Sequence, residues 1–420
     1  MKQILNIDCL IKKHNNYRTI FNELSETLMN NSVLVAGQDS YRICEIEFYL
    51  FCPTTHPDPV VHCSPDQKTS CSFYFHKTGT TYRGGTYKGL DITFGSDNIY
   101  AGILIRSMYN IKKDLVVEGP CKCVDAILTS TGYDSIQNLV LGEKNKGTTK
   151  WKLLPVDREH ANQSLYVVQN DNGRENRLEM YVGPRVGLKY VVNKPNSLTY
   201  IMRDYRYTTV PTLKKHRIGL ITSYVNGLDI NLNQKKIMDV FKCKKLLLDE
   251  IQGVINAQTA PEVLTKIENH DVDLVSGYDK RVLNKLDIVR LWFLCFKINC
   301  PSLVNVKKAQ LAKIGHGSFE EWAENTNNVY IGRDMTSRIQ GTNESKWKNP
   351  FKIDTNETTE IIDNPNNRNN VISKYREYLL STPQLSYLLS HELAGKVLGC
   401  WCKPEECHGD VLIELFKSFS

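Results

Sequence analysis

The sequence predicts a protein of the α/β (α+β) class, with a β-rich amino-terminal domain, a helical middle and a small α/β carboxy-terminal domain. Three observations carry that reading. A length of 420 residues suggests two or three domains. Between about 41 and 210 the apolar residues fall in short β-branched or aromatic runs broken by Gly, Pro and Asn, the texture of a mixed, mostly antiparallel sheet. Between about 231 and 325 they recur three and four apart, the texture of helices. Boundaries at 1–210, 211–325 and 326–420 follow.

Taken in order, the first forty residues read as helical, because Ile20, Phe21, Leu24 and Leu28 keep helical spacing. "RICEIEFYL", "AGILIRSM", "SLYVVQN", "RLEMYVGPRVGLKYVV" and "SLTYIMRDYRY" read as strands. "GPCKCVDAILTST" reads as a helix among them, with Pro120 suited to its first turn. Helices are expected again at "QKKIMDVFKCKKLLLDEIQGVI", "APEVLTKIENH" and "DKRVLNKLDIVRLWFLCFKI", the last supplying core. "NVYIGRDM" returns to strand, and "DNPNNRNN" (363–370) reads as a polar loop. "ISKYREYLLS", "LSHELAGKVLG" and "GDVLIELFKSF" close the chain as helices.

Composition narrows the function classes. A hydrophobic share of 41% with 24% charged residues is ordinary for globular protein and permits large cores. No run is long and apolar enough to span a membrane, and "MKQILNIDCLIKKHNN" lacks the apolar core of a signal peptide. The thirteen cysteines, odd in number and scattered, fit reduced thiols. The expectation is a cytoplasmic or nuclear protein, not secreted, with no membrane partner. A net charge of +7 allows a polyanionic partner without demanding one. The β-rich half holds no GxGxxG or P-loop, so no phosphate-donor cofactor is implied.

"YRICEIEFYLF" (41–51) poses the sharpest question, since Glu45 and Glu47 share one side of a strand that otherwise reads as buried. Close behind come "HPDPVVH" with His56 and His62, "YFHKTGTTYRGGTYKGLDITFG" with Arg83, Tyr87 and Lys88, and "AGILIRSM" with the lone cation Arg106. Cleavage of the bond between a base and its sugar would use this mixture. A carboxylate fixed on a rigid strand can activate water and stabilise positive charge on the sugar, a contribution of about 10²- to 10⁴-fold. Flipping a base from a duplex costs a few kcal/mol, and aromatic stacking recovers roughly 1–3 kcal/mol per base. Glycines let backbone approach phosphates, which Arg and Lys neutralise. A bland reading stands beside each residue. A Glu on an apolar strand is ordinarily an edge residue or an ion-pair partner, and Arg106 is otherwise such a partner. Glu45 is read as structural, pairing with Arg42 or Lys88, and His56 as a loop residue.

The order of these segments resembles the alkyladenine (3-methyladenine) DNA glycosylase family over about 40–207. That family's "G-R-I-V-E-T-E-A-Y" strand is similar to "YRICEIEFY", which implies Glu47 as the water-activating glutamate and Tyr49 as the tyrosine stacking on the flipped base. "D-x-A-x-H" resembles "DPVVH" and implies a base-binding His62. "Y-x-x-Y-G-M" resembles "YRGGTYKG", with Tyr87 as the wedge that replaces the flipped nucleotide. "A-C-V-L-L-R-A" resembles "AGILIRS", placing Arg106 near the backbone of the abasic site. "GPCKC" and "GPRVGLKY…LTYIMRDYRY" resemble the closing motifs. The resemblance implies a monofunctional DNA N-glycosylase of base excision repair, acting on double-stranded DNA. Arg83, Lys88 and Arg106 would hold phosphates, no metal or organic cofactor is needed, and no lysine is placed as a nucleophile. Two family positions are lost, near Gly84 and Phe94, so the preferred base differs.

At the other end, "VYIGR" (329–333), "SKWKNPF" (345–351), "KYREYL" (374–379) and "GKVLGCWCKPEECHGD" (395–410) resemble the domain of unknown function 4326. Arg333, Lys346, Trp347, Asn349, Cys402, His408 and Asp410 read as a polar site with an aromatic wall. "HGD" before an apolar run places His408 and Asp410 at a helix amino terminus, where an anion such as a nucleotide phosphate would sit. The alternative there is a satisfied structural turn. Cys400, Cys402, Cys407 and His408 are natural zinc ligands, but C-x-C-x₄-C-H matches no standard finger or ribbon, so no metal is expected. Two other functions remain open: a non-catalytic binder of modified nucleic acid, or an enzyme processing free nucleotides or modified bases through the carboxy-terminal domain.

Overall fold

The run of Ile, Phe and Tyr at 39–52 forms a strand of 14 residues in the middle of the amino-terminal sheet. The computed structural model describes residues 5–14, 16–145, 164–169, 177–188, 197–213, 217–225, 230–257, 286–292, 300–352, 365–382 and 395–419, with Leu385, Leu389, Glu392 and Leu393. Contacts divide the chain once, into residues 1–13 with 19–295 and residues 14–18 with 296–420.

Among the described residues the first unit carries twelve strands: β1 (Ser32–Ala36), β2 (Asp39–Cys52), β3 (His56–Pro57), β4 (Ser70–Phe75), β5 (Lys77–Thr78), β6 (Thr81–Tyr82), β7 (Leu90–Phe94), β8 (Tyr100–Asn110), β9 (Leu115–Glu118), β10 (Leu165–Gln169), β11 (Tyr181–Gly183) and β12 (Arg206–Thr208). The main sheet runs β10-β1-β2-β8-β7-β4, with β3 and β12 also against β2, β11 against β12 and β9 against β8. Its described ladders are all antiparallel. Helices α1 (Ile7–Lys13) and α2 (Tyr17–Ser25) precede it. Ile20, Phe21, Leu24 and Leu28 are fully buried, and the Phe21 ring stacks on Phe48 of β2 with centroids 4.3 Å apart. The helical reading of the first forty residues stops at a π-helical turn, Glu26–Asn30, because alternating burial in "SVLVA" makes Ser32–Ala36 a strand.

Helix α3 (Pro120–Thr131) starts on its proline as expected and ends at Gly132, whose φ of +76° lets its N–H reach the Leu128 and Thr129 carbonyls. Helix α4 (Ile136–Asn145) follows. "SLTYIM" corrects the strand reading: it is helix α5 (Ser197–Met202), with Tyr200, Ile201 and Met202 buried together. Burial of consecutive residues overrides the β-propensity of Thr and Tyr. Helices α6 (Arg217–Val225), α7 (Ile230–Phe241) and α8 (Lys245–Ala257) enclose a core of Leu220, Ile221, Ile237, Phe241, Leu248 and Ile251, which Tyr181 of β11 joins. Of the run "VRLWFLCFKI", Val289, Leu291 and Trp292 are buried on a helix, and the part after Trp292 lies outside the described residues. "APEVLTKIENH" lies outside the described residues.

The second unit has a parallel sheet, β13 (Ser302–Asn305), β15 (Val397–Cys400) and β14 (Asn328–Tyr330) in that spatial order. β13 corrects the helical reading of 231–325; four residues are too few for a period to show. Leu398 and Cys400 face a core with Tyr375 of α11 (Pro365–Ser381) and Leu412 of α12 (His408–Phe419). Val397 faces the opposite core, with Leu311 of α9 (Lys308–Lys313) and Trp322 of α10 (Phe319–Glu324). A Cβ on Gly399 would stand 2.3 Å from the Trp322 ring, so the "LGC" glycine admits that ring against the strand. "DNPNNRNN" is another correction, because Pro365 opens α11 and the asparagines run through its first turns. "KVLG" likewise belongs to strand β15, not to a helix.

One buried ion pair holds the segment after β11 to the sheet. Arg185 and Asp58 are both fully buried, 2.8 Å apart, and the guanidinium also donates to the Phe48 and Tyr200 carbonyls. Arg185→Ala is expected to cost about 3–5 kcal/mol in denaturant unfolding of the amino-terminal unit, because it leaves a buried carboxylate uncompensated. A loss below about 1 kcal/mol would show that the pair is not structural.

Candidate active site

β2 places two carboxylates inside the sheet, and bulges on both paired strands aim groups at them. Register slips past Cys44 on β2 and past Arg106 on β8. Arg106 thereby lies 3.5 Å from Glu45 Oε1 and 3.2 Å from Glu47 Oε2. Glu45 also accepts from Ser107 at 2.6 Å and from Arg206 of β12 at 3.5 Å. The expectation that Arg42 or Lys88 pairs with Glu45 is corrected: Arg42 lies over the Tyr109 ring, and Lys88 pairs with Asp125 of α3. Arg42 and Lys88 are occupied by these other partners, while the bulge delivers Arg106.

Glu47 has no exposed surface. Its Oε1 accepts from the Val186 N–H at 2.6 Å, and Oε2 accepts from the Tyr49 hydroxyl at 2.9 Å and from Arg106. Burial, then the Glu47 charge, pushes the Tyr49 pKa well up, so the phenol stays a donor. Burial opposes the charge of Arg106, but Glu47 and Glu45 outweigh it and raise its pKa. Tyr49, Arg106 and Val186 all line a cavity of about 650 Å³, so the carboxylate sits directly behind its wall.

The same cavity brings together His62, Arg83, Tyr87 and Lys88. Tyr87 ends the 3₁₀ turn Gly85–Tyr87 and is 76% exposed, an unusual placement for a large ring. Arg83 Nε donates to the Lys77 carbonyl, and Nη2 lies 3.4 Å from His62 Nε2. A Cβ on Gly84 would meet nothing within 4 Å, and Phe94 is core, so neither lost family position contributes a polar group. Sequence reasoning missed the polar end: His76 Nε2 lies 2.7 Å from Asp91 Oδ1, and Gln67 donates to Asp91 Oδ2 at 3.4 Å. Asp91 is the same oddity as Glu47, an acid in the apolar run "GLDITF", and that signal could have found it. His56 is corrected from loop residue to buried brace, 1% exposed, with Nδ1 on the Leu50 carbonyl and Nε2 on the Tyr205 hydroxyl.

In the second unit a cavity of about 420 Å³ opens beyond the carboxyl ends of the parallel strands. Lys307 follows β13, Gly332 and Arg333 follow β14, and Trp401 and Cys402 follow β15. Asn349 and His408 line it as expected, but Lys346, Trp347 and Asp410 do not. Trp347 is a core residue, 2% exposed, because its neighbours are Tyr375 and Leu412; the aromatic wall is Trp401. Lys346 pairs with Glu392 at 2.5 Å. Asp410 Oδ2 accepts from the Cys407 N–H at 2.9 Å and Oδ1 from Lys403 at 2.6 Å, so the start of α12 is capped from within and needs no anion. Arg333 donates to the Asn349 and Phe351 carbonyls, leaving Lys307 and Arg368 as the other cations on the wall.

Residues 317–418 match the family described as Domain of unknown function (DUF4326). The chain is also similar to Uncharacterized protein L759 of Acanthamoeba polyphaga mimivirus, 37% identical over 182 residues that cover 40% of this chain and 78% of that protein. With Uncharacterized protein R718 of the same virus it is 37% identical over 97 residues, 21% of this chain and 66% of that protein. The carboxy-terminal resemblance is thereby established, and its domain begins before residue 326. The glycosylase resemblance rests on the amino-terminal sequence motifs alone.

His62 offers a direct test of the cavity's electrostatics. Burial first, then His76 and Arg83, lower its pKa below 6.5. The unfolded chain then binds the extra proton more readily, so the stability His62 contributes is complete above 6.5 and lost as pH falls through the folded value. Proton NMR, assigned with His62→Gln, is expected to show a midpoint below 6.5; one at or above it would contradict the lowering by desolvation and by the neighbouring His76 and Arg83.

Proposed function

The chain belongs to the family of the mimivirus protein L759, and we propose that its amino-terminal unit is a DNA base glycosylase that hydrolyses the N-glycosidic bond of a modified or damaged base. The observation that carries this reading is Glu47: a carboxylate on a central strand, behind a cavity wall made of its own three hydrogen-bond partners. A base drawn into the cavity stacks on Tyr49 beside His62. That contact takes the Tyr49 hydroxyl off Glu47 Oε2, which accepts a proton from a water as that water's oxygen bonds C1′; the C1′–N bond breaks, and its electron pair leaves with the base, which takes a proton from solvent. Arg106 holds the carboxylate in place, a positioning role that replaces the phosphate contact expected of it. Arg83 and Lys88 stand at the mouth for the phosphates, and Tyr87 fills the gap in the duplex. The polar group of Gln67, His76 and Asp91 faces the base's hydrogen-bonding edge and sets which base is accepted.

A second reading has its own observation. The carboxy-terminal cavity lies where open parallel sheets bind ligands, beyond the carboxyl ends of the strands. Trp401 supplies a stacking wall and Lys307 with Arg368 supplies positive charge, the chemistry of a nucleotide site. Processing of free nucleotides there would proceed without Glu47.

The deciding measurement is release of free base, detected by mass spectrometry, from duplex and single-stranded DNA carrying normal and modified bases, and from free nucleosides and nucleotides. Glu47→Gln is expected to slow release from DNA by about 10²- to 10⁴-fold while DNA binding persists. Unchanged release in a folded Glu47→Gln protein, or DNA binding with no release by the unaltered chain, overturns the glycosylase reading. Turnover of free nucleotides alone supports the second.

Tyr87→Ala isolates the wedge. Its exposure predicts a stability change within about 0.5 kcal/mol. Release from duplex DNA should fall by roughly ten- to a hundredfold, the equivalent of about 1–3 kcal/mol of stacking. Release from single strands should barely change, and an equal loss on both substrates would argue against a wedge.

A further inference from the structure

Beyond either reading, the geometry points to a zinc-class divalent cation site at the wall of the carboxy-terminal cavity, with Cys402, Cys407 and His408 as ligands. One donor atom from each lies within 4.8 Å of the others, and all three residues line the cavity. Cys407 Sγ stands 3.6 Å from His408 Nδ1. Bonds of about 2.3 Å to sulfur and about 2.0–2.1 Å to nitrogen, opened to the tetrahedral angle, separate the two donors by about 3.6 Å. The donors are therefore already spaced as one edge of a zinc tetrahedron.

The surroundings prepare each ligand. His408 Nε2 lies 2.8 Å from the Ile331 carbonyl, which fixes the hydrogen on Nε2 and turns the bare Nδ1 lone pair toward Cys407. The Gly409 N–H donates to Cys407 Sγ at 3.3 Å, at the start of α12, which fixes the direction of that sulfur. A Cβ on Gly409 would stand 2.6 Å from Leu303, so this glycine lets the helix end lie against β13 with that N–H in place. Cys400 is 1% exposed and does not line the cavity; its sulfur interacts with those of Cys402 and Cys407 from behind. It orients the two sulfurs as a positioning residue. Three protein ligands leave a fourth position facing the cavity, the arrangement of zinc sites that act on a bound water or ligand.

Full-length chain, purified under reduction and without chelator, is tested with Zn²⁺ and then Co²⁺. After dialysis a single zinc per chain is expected by elemental analysis. Bound Co²⁺ should show sulfur-to-metal charge transfer and tetrahedral bands that added imidazole shifts, because one position is open. Cys402→Ser, Cys407→Ser and His408→Ala should each lose stoichiometric metal, while Cys121→Ser keeps it as a control. Cys400→Ser should retain the metal with affinity weakened about 10- to 100-fold, the usual cost of an outer partner. Circular dichroism identifies the variants that fold. The site is refuted if the folded, reduced chain takes up neither metal, if the ligand substitutions leave uptake unchanged, or if Cys402 and Cys407 are recovered as a disulfide under the same conditions. Complete loss in a folded Cys400→Ser protein refutes the open position and makes Cys400 the fourth ligand.

Discussion

Burying two carboxylates on one strand is the constraint from which much of the amino-terminal unit follows. An ionised carboxylate removed from water costs several kcal/mol unless it is paired and hydrogen-bonded. Glu45 and Glu47 sit two residues apart on β2, so their charges also repel each other. Arg106 answers both, but only because a bulge on β8 releases it from the regular register. Arg206 comes from the strand on the other side of β2, and the Val186 N–H from the segment after β11. Three separate stretches of chain are thus drawn to one strand by charge as much as by apolar contact. Arg185 extends the pattern: its fully buried pair with Asp58 holds the backbone that carries Val186.

The carboxy-terminal unit solves a different problem, and its motif divides accordingly. Some residues of "LGCWCKPEECHGD" build the fold: Gly399 admits the Trp322 ring, Gly409 admits Leu303, and Asp410 caps α12. Others pack in the fold and also face the cavity. Cys402 and His408 stand at the carboxyl edge of a parallel sheet, where strand ends and helix starts leave a crevice in folds of this kind. Trp401 belongs to both groups, since its indole N–H donates to Tyr330 at 2.8 Å while the ring lines the cavity. A motif of this density therefore mixes packing with chemistry, and only the side-chain partners separate them.

Legibility in the sequence followed the range of the interactions. Helical spacing at Ile20, Phe21, Leu24 and Leu28 translated directly into buried positions, because the pattern is local. Glu47 stood out because an acid in an apolar strand is anomalous by itself, and the structure buries it fully on β2. Arg185 did not, since its bond to the Phe48 carbonyl joins residues 137 apart and no local pattern announces it. Trp347 was misplaced for a related reason: it looks like an exposed motif aromatic, and only the packing of α11 and α12 shows that it is covered. β13 and α5 were misread where burial or shortness erased periodicity.

The two carboxylates that share β2 differ in the one respect that matters for chemistry. Glu45 is held by Arg106, Arg206 and Ser107, and neither it nor Arg206 nor Ser107 lines the cavity. Glu47 is held by groups that all line it, so a ligand in the cavity can reach the carboxylate by displacing a single phenol. The arrangement is preorganised, because the strand, the bulge and the Val186 amide hold the carboxylate before anything binds. Glu45 in turn absorbs part of the Arg106 charge, which keeps that guanidinium shared between two carboxylates instead of locked on one. The structural acid thus tunes its neighbour, and the pair on one strand makes physical sense as a pair.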